Sequence, residues 1–306
     1  LAALRREVEP VEPAALARLA PAWQGVGART GPRGADGVLR AIEQLAGALL
    51  PASAVETLIL PSRVDGYQPA MLDELTAAGD VLWCGSGAIG SADGWIAFAP
   101  AQEAELLLPD ELSFDEDPLR RAILDALEGG AALFARGIAD RAGADAAPIE
   151  EPQLAAAIWD LVWAGRLTND SLAPLRALLG RSRTTQVRAR APRSRFGRAA
   201  PTASASIWAR GGSAVRGAAM GADIPPPGRI PPGRAASSSA AARTAGSLSG
   251  RWALVPAREA DPTRRAYAAA DALLERHGVL TRPAAIAERT TGGFAAIYPV
   301  LKAAEE

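Results

Sequence analysis

Cysteine, histidine and lysine occur once each in the 306 residues, as Cys84, His277 and Lys302. A single cysteine leaves no internal disulfide and no thiolate zinc site. The single lysine decides a larger question. A Walker A loop closes on Gly-Lys-Ser/Thr because a lysine must reach the β- and γ-phosphates, whereas Lys302 sits in Leu301-Lys302-Ala303-Ala304 with no such frame. No nucleotide-hydrolysing motor is encoded in these residues. A Ser-His-Asp site would have to use His277, which lies in Glu275-Arg276-His277-Gly278-Val279 just before a helix-stopping glycine. There a positive charge suits the helix C-terminus, and that structural role is preferred to catalysis. Runs of about twenty apolar residues are missing, as is a basic-then-apolar leader, so no membrane span is expected.

What is present is 49% hydrophobic and 22% charged, the balance of an ordinary globular protein, at a length that holds about two or three small domains. Arginine supplies nearly all the positive charge, which looks like coding by GC-rich DNA, and it is unevenly spread. Residues 181–251 hold 13 Arg and one acid, Asp223, a net of +12, whereas residues 1–180 hold 13 basic and 26 acidic residues, a net of −13. The same 181–251 stretch contains Pro225-Pro226-Pro227, Pro231-Pro232 and Ser237-Ser238-Ser239 among scattered Gly and Ala. Its apolar pattern is too thin to offset chain entropy, which predicts a disordered linker.

The spacing before the linker predicts two compact units, 1–109 and 110–180. In the first, Asp36 reads as the cap of a helix with Leu39, Ile42, Leu45, Ala46 and Leu49 on its core face, ending before Pro51. Ser53 and Glu56 fit a capping box for a second helix through about Leu60. Pro69 opens a third helix carrying Met71, Leu72 and Leu75, and Gly79 closes it. Val81-Leu82-Trp83-Cys84 and Trp95-Ile96-Ala97-Phe98 then read as a hairpin. Three helices followed by a hairpin is the order of a winged helix, with the third helix in the recognition position.

After an acidic connector, Asp117-Pro118 opens the second unit: a helix to about Leu127, a break at Gly129-Gly130, a short helix over 135–142, and a helix from Pro152 that Gly165 stops. Leu154, Ile158, Leu161 and Val162 form its apolar stripe beside Trp159 and Trp163, which read first as core rather than as base-stacking residues. No long hairpin follows, so the wing is expected to be small or absent, with a helix over 172–179 in its place. Beyond the linker, Asp261-Pro262-Thr263-Arg264-Arg265-Ala266 repeats Asp117-Pro118-Leu119-Arg120-Arg121-Ala122. Helices over 262–276, 283–289 and 293–304 make residues 252–306 the start of a third unit. The fold class is therefore mainly α with small β wings (α+β): tandem winged-helix units separated by a linker.

The run Trp159-Asp160-Leu161-Val162-Trp163-Ala164-Gly165-Arg166-Leu167-Thr168-Asn169-Asp170-Ser171-Leu172-Ala173-Pro174-Leu175-Arg176 closely resembles a segment near the C-terminus of Lhr-type proteins, the large helicase-related superfamily-two DNA helicases of bacteria. Trp252-Ala253-Leu254-Val255-Pro256, Asp261 to Ala266 and Gly292-Gly293-Phe294-Ala295-Ala296-Ile297-Tyr298 resemble a later segment of the same family. Residues 61–98 resemble an earlier one, so the likeness covers nearly all of the chain outside the linker. It implies a piece of the accessory C-terminal region, with the helicase core elsewhere in the polypeptide; the start at Leu1 without Met and the end at Glu306 are read the same way. It further implies a cytoplasmic, nucleoid-associated bacterial protein, ATP and Mg in the parent helicase but no cofactor in this chain, and partners that include single-stranded DNA, an RNA:DNA hybrid, the helicase core and further copies of the chain. The parent would translocate 3′ to 5′ on single strands and serve DNA repair. Two alternatives stand beside this: part of a tandem winged-helix DNA glycosylase-like module, or a free-standing winged-helix regulator.

Nucleic-acid recognition needs polar and aromatic tips on an exposed helix, with cations for phosphates. The fold reading places Arg63, Tyr67 and Gln68 at the entry to the first recognition helix, Arg166 and Asn169 after the second, and Arg289, Phe294 and Tyr298 around the third. In the linker, Arg188, Arg190, Arg193, Arg195 and Arg198 are candidate phosphate contacts, each releasing a counterion on binding. No catalytic or metal-ligating set is expected.

Overall fold

The computed structural model describes residues 12–26, 31–90, 93–115, 117–143, 149–180, 248–290 and 292–305. Most of the expected linker, 181–247, lies outside the described residues, and the five arginines from Arg188 to Arg198 lie there with it. The first unit contains α1 (Pro13–Trp23), α2 (Gly34–Leu45), β1 (Leu50–Pro51), a one-turn α3 (Ala52–Ala54) that widens into a π turn over Val55–Ile59, α4 (Pro69–Ala78), β2 (Val81–Ile89) and β3 (Asp93–Pro100). A short helix, α5 (Ala104–Leu107), leads away from it. The second unit has α6 (Pro118–Leu127), β4 (Leu133–Phe134), α7 (Ala135–Ala142), α8 (Glu151–Trp163) and β5 (Leu167–Asn169). A further helix, α9, spans 173–180.

The next strand corrects the sequence reading. β6 (Arg251–Leu254) was expected to lie at the boundary between linker and third unit, yet it runs antiparallel between β4 and β5, pairing Leu133 with Trp252 and Thr168 with Ala253. The two sheets thus have one topology, β1-β3-β2 and β4-β6-β5. The second unit thus has the strand order of a winged helix, and the expectation of a small or absent wing missed its last strand, which residues 170–250 separate from β5 in the chain. Trp252 is fully buried and meets Trp159 edge-on at 6.0 Å, while Trp159 stacks on Trp163 at 5.6 Å, as expected of core tryptophans.

Smaller departures have local causes. α2 starts at Gly34, so Asp36 sits inside the first turn instead of capping it, and the helix ends at Leu45, leaving Leu49 outside. The capping box does not form: the Ser53 hydroxyl donates to Asp93 Oδ2 at 2.5 Å and ties α3 to the wing strand. Glu56 instead accepts from the Tyr67 hydroxyl and from Arg176. Asp117 and Asp261, the repeated caps, accept from Arg120 N and from Thr263 N respectively, each ahead of a proline in the first turn.

The third unit comprises α10 (Pro262–His277), α11 (Arg282–Ala287) and α12 (Gly293–Glu305) around Ala270, Leu273, Ala285 and Ile297. Arg276, 5% exposed, anchors it to the first unit by donating to the carbonyls of Gln44 and Ala46 at the end of α2. Its guanidinium also pairs with Glu288, which accepts from His277 Nε2 at 2.6 Å. His277 is thus the last residue of α10, held by a carboxylate. Among the described residues no helix is long and apolar enough to cross a membrane.

Candidate nucleic-acid interface

Each winged helix offers one helix in the recognition position: α4, α8 and α12. Packing between the units consumes the first two. α8 is buried along most of its length, with Leu154, Ile158, Trp159, Leu161 and Val162 all inside. Its last turn presses on the first unit's sheet so closely that a Cβ on Gly85 would lie 2.2 Å from the Val162 carbonyl, and one on Gly94 would strike the Trp163 ring at 2.4 Å. Glycine at both positions is what lets the sheet meet the helix. α4 is covered from its flank by α9: Arg176 Nη1 donates to Asp73 Oδ2 and Arg176 Nε to Glu56 Oε2, each at 2.7 Å. Leu172 N adds a hydrogen bond to Asp73 Oδ1. What α4 still exposes is Pro69, Ala70, Glu74, Ala77 and Ala78, with no cation among them.

The residues expected to flank these two helices are correspondingly engaged. Arg63 donates to the Ile59 carbonyl, the Ser62 hydroxyl and Gln24 Oε1. The Tyr67 hydroxyl donates to Glu56 at 2.7 Å, and burial with that carboxylate holds its pKa above the usual phenol range. Only Gln68, ahead of α4, is exposed. Asn169, 3% exposed, is a structural residue and not an exposed contact: Nδ2 donates to Ser249 O, Oδ1 accepts from Ser171, and its carbonyl takes the Trp83 indole N–H at 2.9 Å. Arg166 pairs with Glu111 at 2.6 Å.

α12 differs. Ile297 points into the third unit, while Phe294, Tyr298 and Lys302, spaced by four, line up along one face. Phe294 and Tyr298 lie 5.7 Å apart, Arg282 sits 5.6 Å over the Phe294 ring, and Tyr298 is 54% exposed. Ile286 on α11 is 64% exposed. Arg289, the one described non-glycine residue with positive φ, at 55°, lays its guanidinium 4.8 Å over Trp95 of β3. Between 282 and 302 the only acid is Glu288, and Arg276 and His277 already occupy it. Arg282 and Lys302 therefore leave this face positive, while Arg289 lies against the first unit. The sequence reading omitted Arg282, Ile286 and Lys302, although the 294/298/302 spacing was there to be read. Among the described residues no cluster of His, Cys, Asp or Glu is arranged to hold a metal ion.

Residues 11–101 match a winged-helix domain of the large helicase-related protein, and residues 259–306 match another. A protein of Mycolicibacterium smegmatis named Lhr helicase/probable uracil glycosylase is 42% identical over 309 residues, covering 100% of this chain and 18% of that protein. Lhr helicase/uracil glycosylase of Escherichia coli K12 is 34% identical over 328 residues, covering 100% of the chain and 19% of its own length. The chain thus spans under a fifth of the length of these relatives. It is a segment of the large helicase-related, or Lhr, type and carries two of that family's winged-helix domains.

Proposed function

We propose that the chain is a nucleic-acid-binding and assembly segment of an ATP-dependent 3′-to-5′ Lhr-type DNA helicase acting in DNA repair, in which α12 is the one recognition helix that touches the nucleic acid. The observation that carries this is the contrast among the three recognition helices: α8 is buried, α4 exposes no cation, and α12 alone offers an exposed aromatic ring, Tyr298, next to the half-buried Phe294, with Arg282 over the Phe294 ring and Lys302 one turn beyond Tyr298. Aromatic faces accept unpaired bases of any sequence, and the cations meet phosphates, which suits a single strand or the displaced end of an RNA:DNA hybrid. ATP and Mg would be held by the helicase core of the same polypeptide and supply the translocation energy there. Arg188, Arg190, Arg193, Arg195 and Arg198, between α9 and β6 in the chain, would add non-specific phosphate contacts.

Anisotropy titrations of a labelled single strand test the assignment. Tyr298→Ala weakens binding about 5- to 100-fold with an unchanged salt slope, because stacking releases no counterion. Lys302→Gln lowers the slope by about 0.7. Parent-like affinity and slope in the double variant would show that α12 is not the contact.

A further inference from the structure

A second feature of the molecule, away from the face of α12, is a cavity of about 530 Å³ where α1, α2 and the end of α10 meet. Trp23 forms one wall and is 46% exposed, far more than any core tryptophan. It is nonetheless fixed: its indole N–H donates to the Glu275 carbonyl at 2.6 Å, Gln44 Nε2 donates to its carbonyl at 3.1 Å, and Gly278 brings the backbone against one side of the ring. A rigid indole with an open side is a stacking platform whose ordering cost is already met. Arg63 and Arg40 also line the space. Arg63 meets only uncharged acceptors, and its Nε is buried with no partner, an arrangement that leaves a half-buried cation without a counter-anion. Arg40, exposed on α2, has no carboxylate partner among the described residues. Glu43 and Glu275, both exposed at the rim, are placed to accept from the N–H groups of a heterocycle while their charges stay in water.

We propose that this cavity binds a nucleoside monophosphate unit, its base stacked on Trp23 and its phosphate held by Arg40, with the uncompensated charge of Arg63 adding to the field there. The unit is either a free nucleotide or one residue of a strand, and the site does not depend on the contact assigned to α12.

The test follows the tryptophan indole N–H signals of the full chain by heteronuclear NMR, with Trp23 assigned from the Trp23→Phe variant. Thymidine monophosphate and an oligothymidylate octamer are the two probes. The expected result is that the Trp23 signal moves on titration, and that Arg40→Gln raises the half-point of the shift about ten-fold without changing the melting temperature. Movement with both probes assigns the site to any nucleotide; movement with the octamer alone assigns it to a strand. The Trp23→Phe chain, which keeps an aromatic face, binds the probe that moved Trp23 within a few-fold of the parent. A Trp23 signal unmoved by either probe, or moved equally in the Arg40→Gln chain, overturns the proposal. The Tyr298→Ala chain separates the two sites: loss of octamer affinity there with a retained Trp23 shift leaves both standing, while octamer binding that moves other tryptophans and not Trp23 leaves only α12.

Discussion

Single side chains at the joints between units hold this molecule together, and Cys84 reports on one of them. It lies fully buried where β2 meets Ala97, Leu108 and Val255, with Arg258 Nη2 3.9 Å away. Burial pushes its thiol pKa up to about 12, and the Arg258 charge only partly opposes this. The folded state therefore disfavours the thiolate. The associated stability is fully present below the ordinary thiol pKa and is lost as pH rises from there through about 12. The expected outcome is that a disulfide reagent at pH 8 labels Cys84 no faster than global unfolding, and that urea stability declines above about pH 9. Rapid labelling of the native chain at pH 8 would show that the joint opens locally. The same logic explains why Asn169 and Tyr67 are poor contacts for a ligand: removing either side chain takes a hydrogen bond out of a buried joint, at a cost of about 1–3 kcal/mol.

At the scale of elements, β6 is the decisive one. It reaches the second unit's sheet from beyond the 181–247 excursion and fills the gap between β4 and β5, with Trp252 packed on Trp159. Cleavage among the arginines between 181 and 247 is therefore expected to leave two fragments that remain associated, co-eluting on gel filtration and melting in one transition. Trp252→Ala removes a fully buried indole, a loss of about 3–5 kcal/mol, and the nicked variant should separate. Free migration of the two pieces of the nicked parent would mean that the strand is not held as described. α9 has the analogous role on the other side, its Arg176 bridging Glu56 and Asp73 and thereby fixing α4 as scaffold.

For the whole molecule, the charge division sets the binding behaviour. Residues 1–180 carry a net of −13 and would repel the phosphates that the +12 segment and the α12 face are proposed to attract. Replacing Arg188, Arg190, Arg193, Arg195 and Arg198 with Gln should cut the salt slope for a single strand by about 0.7 for each arginine that meets a phosphate. Equal slopes before and after would assign that segment to tethering alone. The purified chain is also expected to hydrolyse ATP no faster than buffer, with or without DNA, since no Walker A frame is present. A DNA-stimulated rate that tracks with the protein would contradict that expectation.

Local information was enough for much of this architecture. Capping aspartates ahead of prolines at 117 and 261, apolar residues at helical spacing and glycine stops determine the helices, because each depends on residues within one or two turns. The winged-helix order of the first unit and the core packing of Trp159 with the half-buried Trp163 are legible on the same grounds, and the eighteen-residue string from Trp159 carries the family likeness. Pairings that join distant residues were not legible. Nothing near Arg251 says that it begins the second unit's last strand, since its partners lie more than 80 residues earlier. Nothing near Asn169 or Tyr67 says that each is enclosed, because the groups that enclose them come from Ser249, Trp83 and Glu56. Which recognition helix stays open was likewise a tertiary decision. A helix shows its own amphipathic pattern, but whether its polar edge meets water or another unit depends on how the units pack.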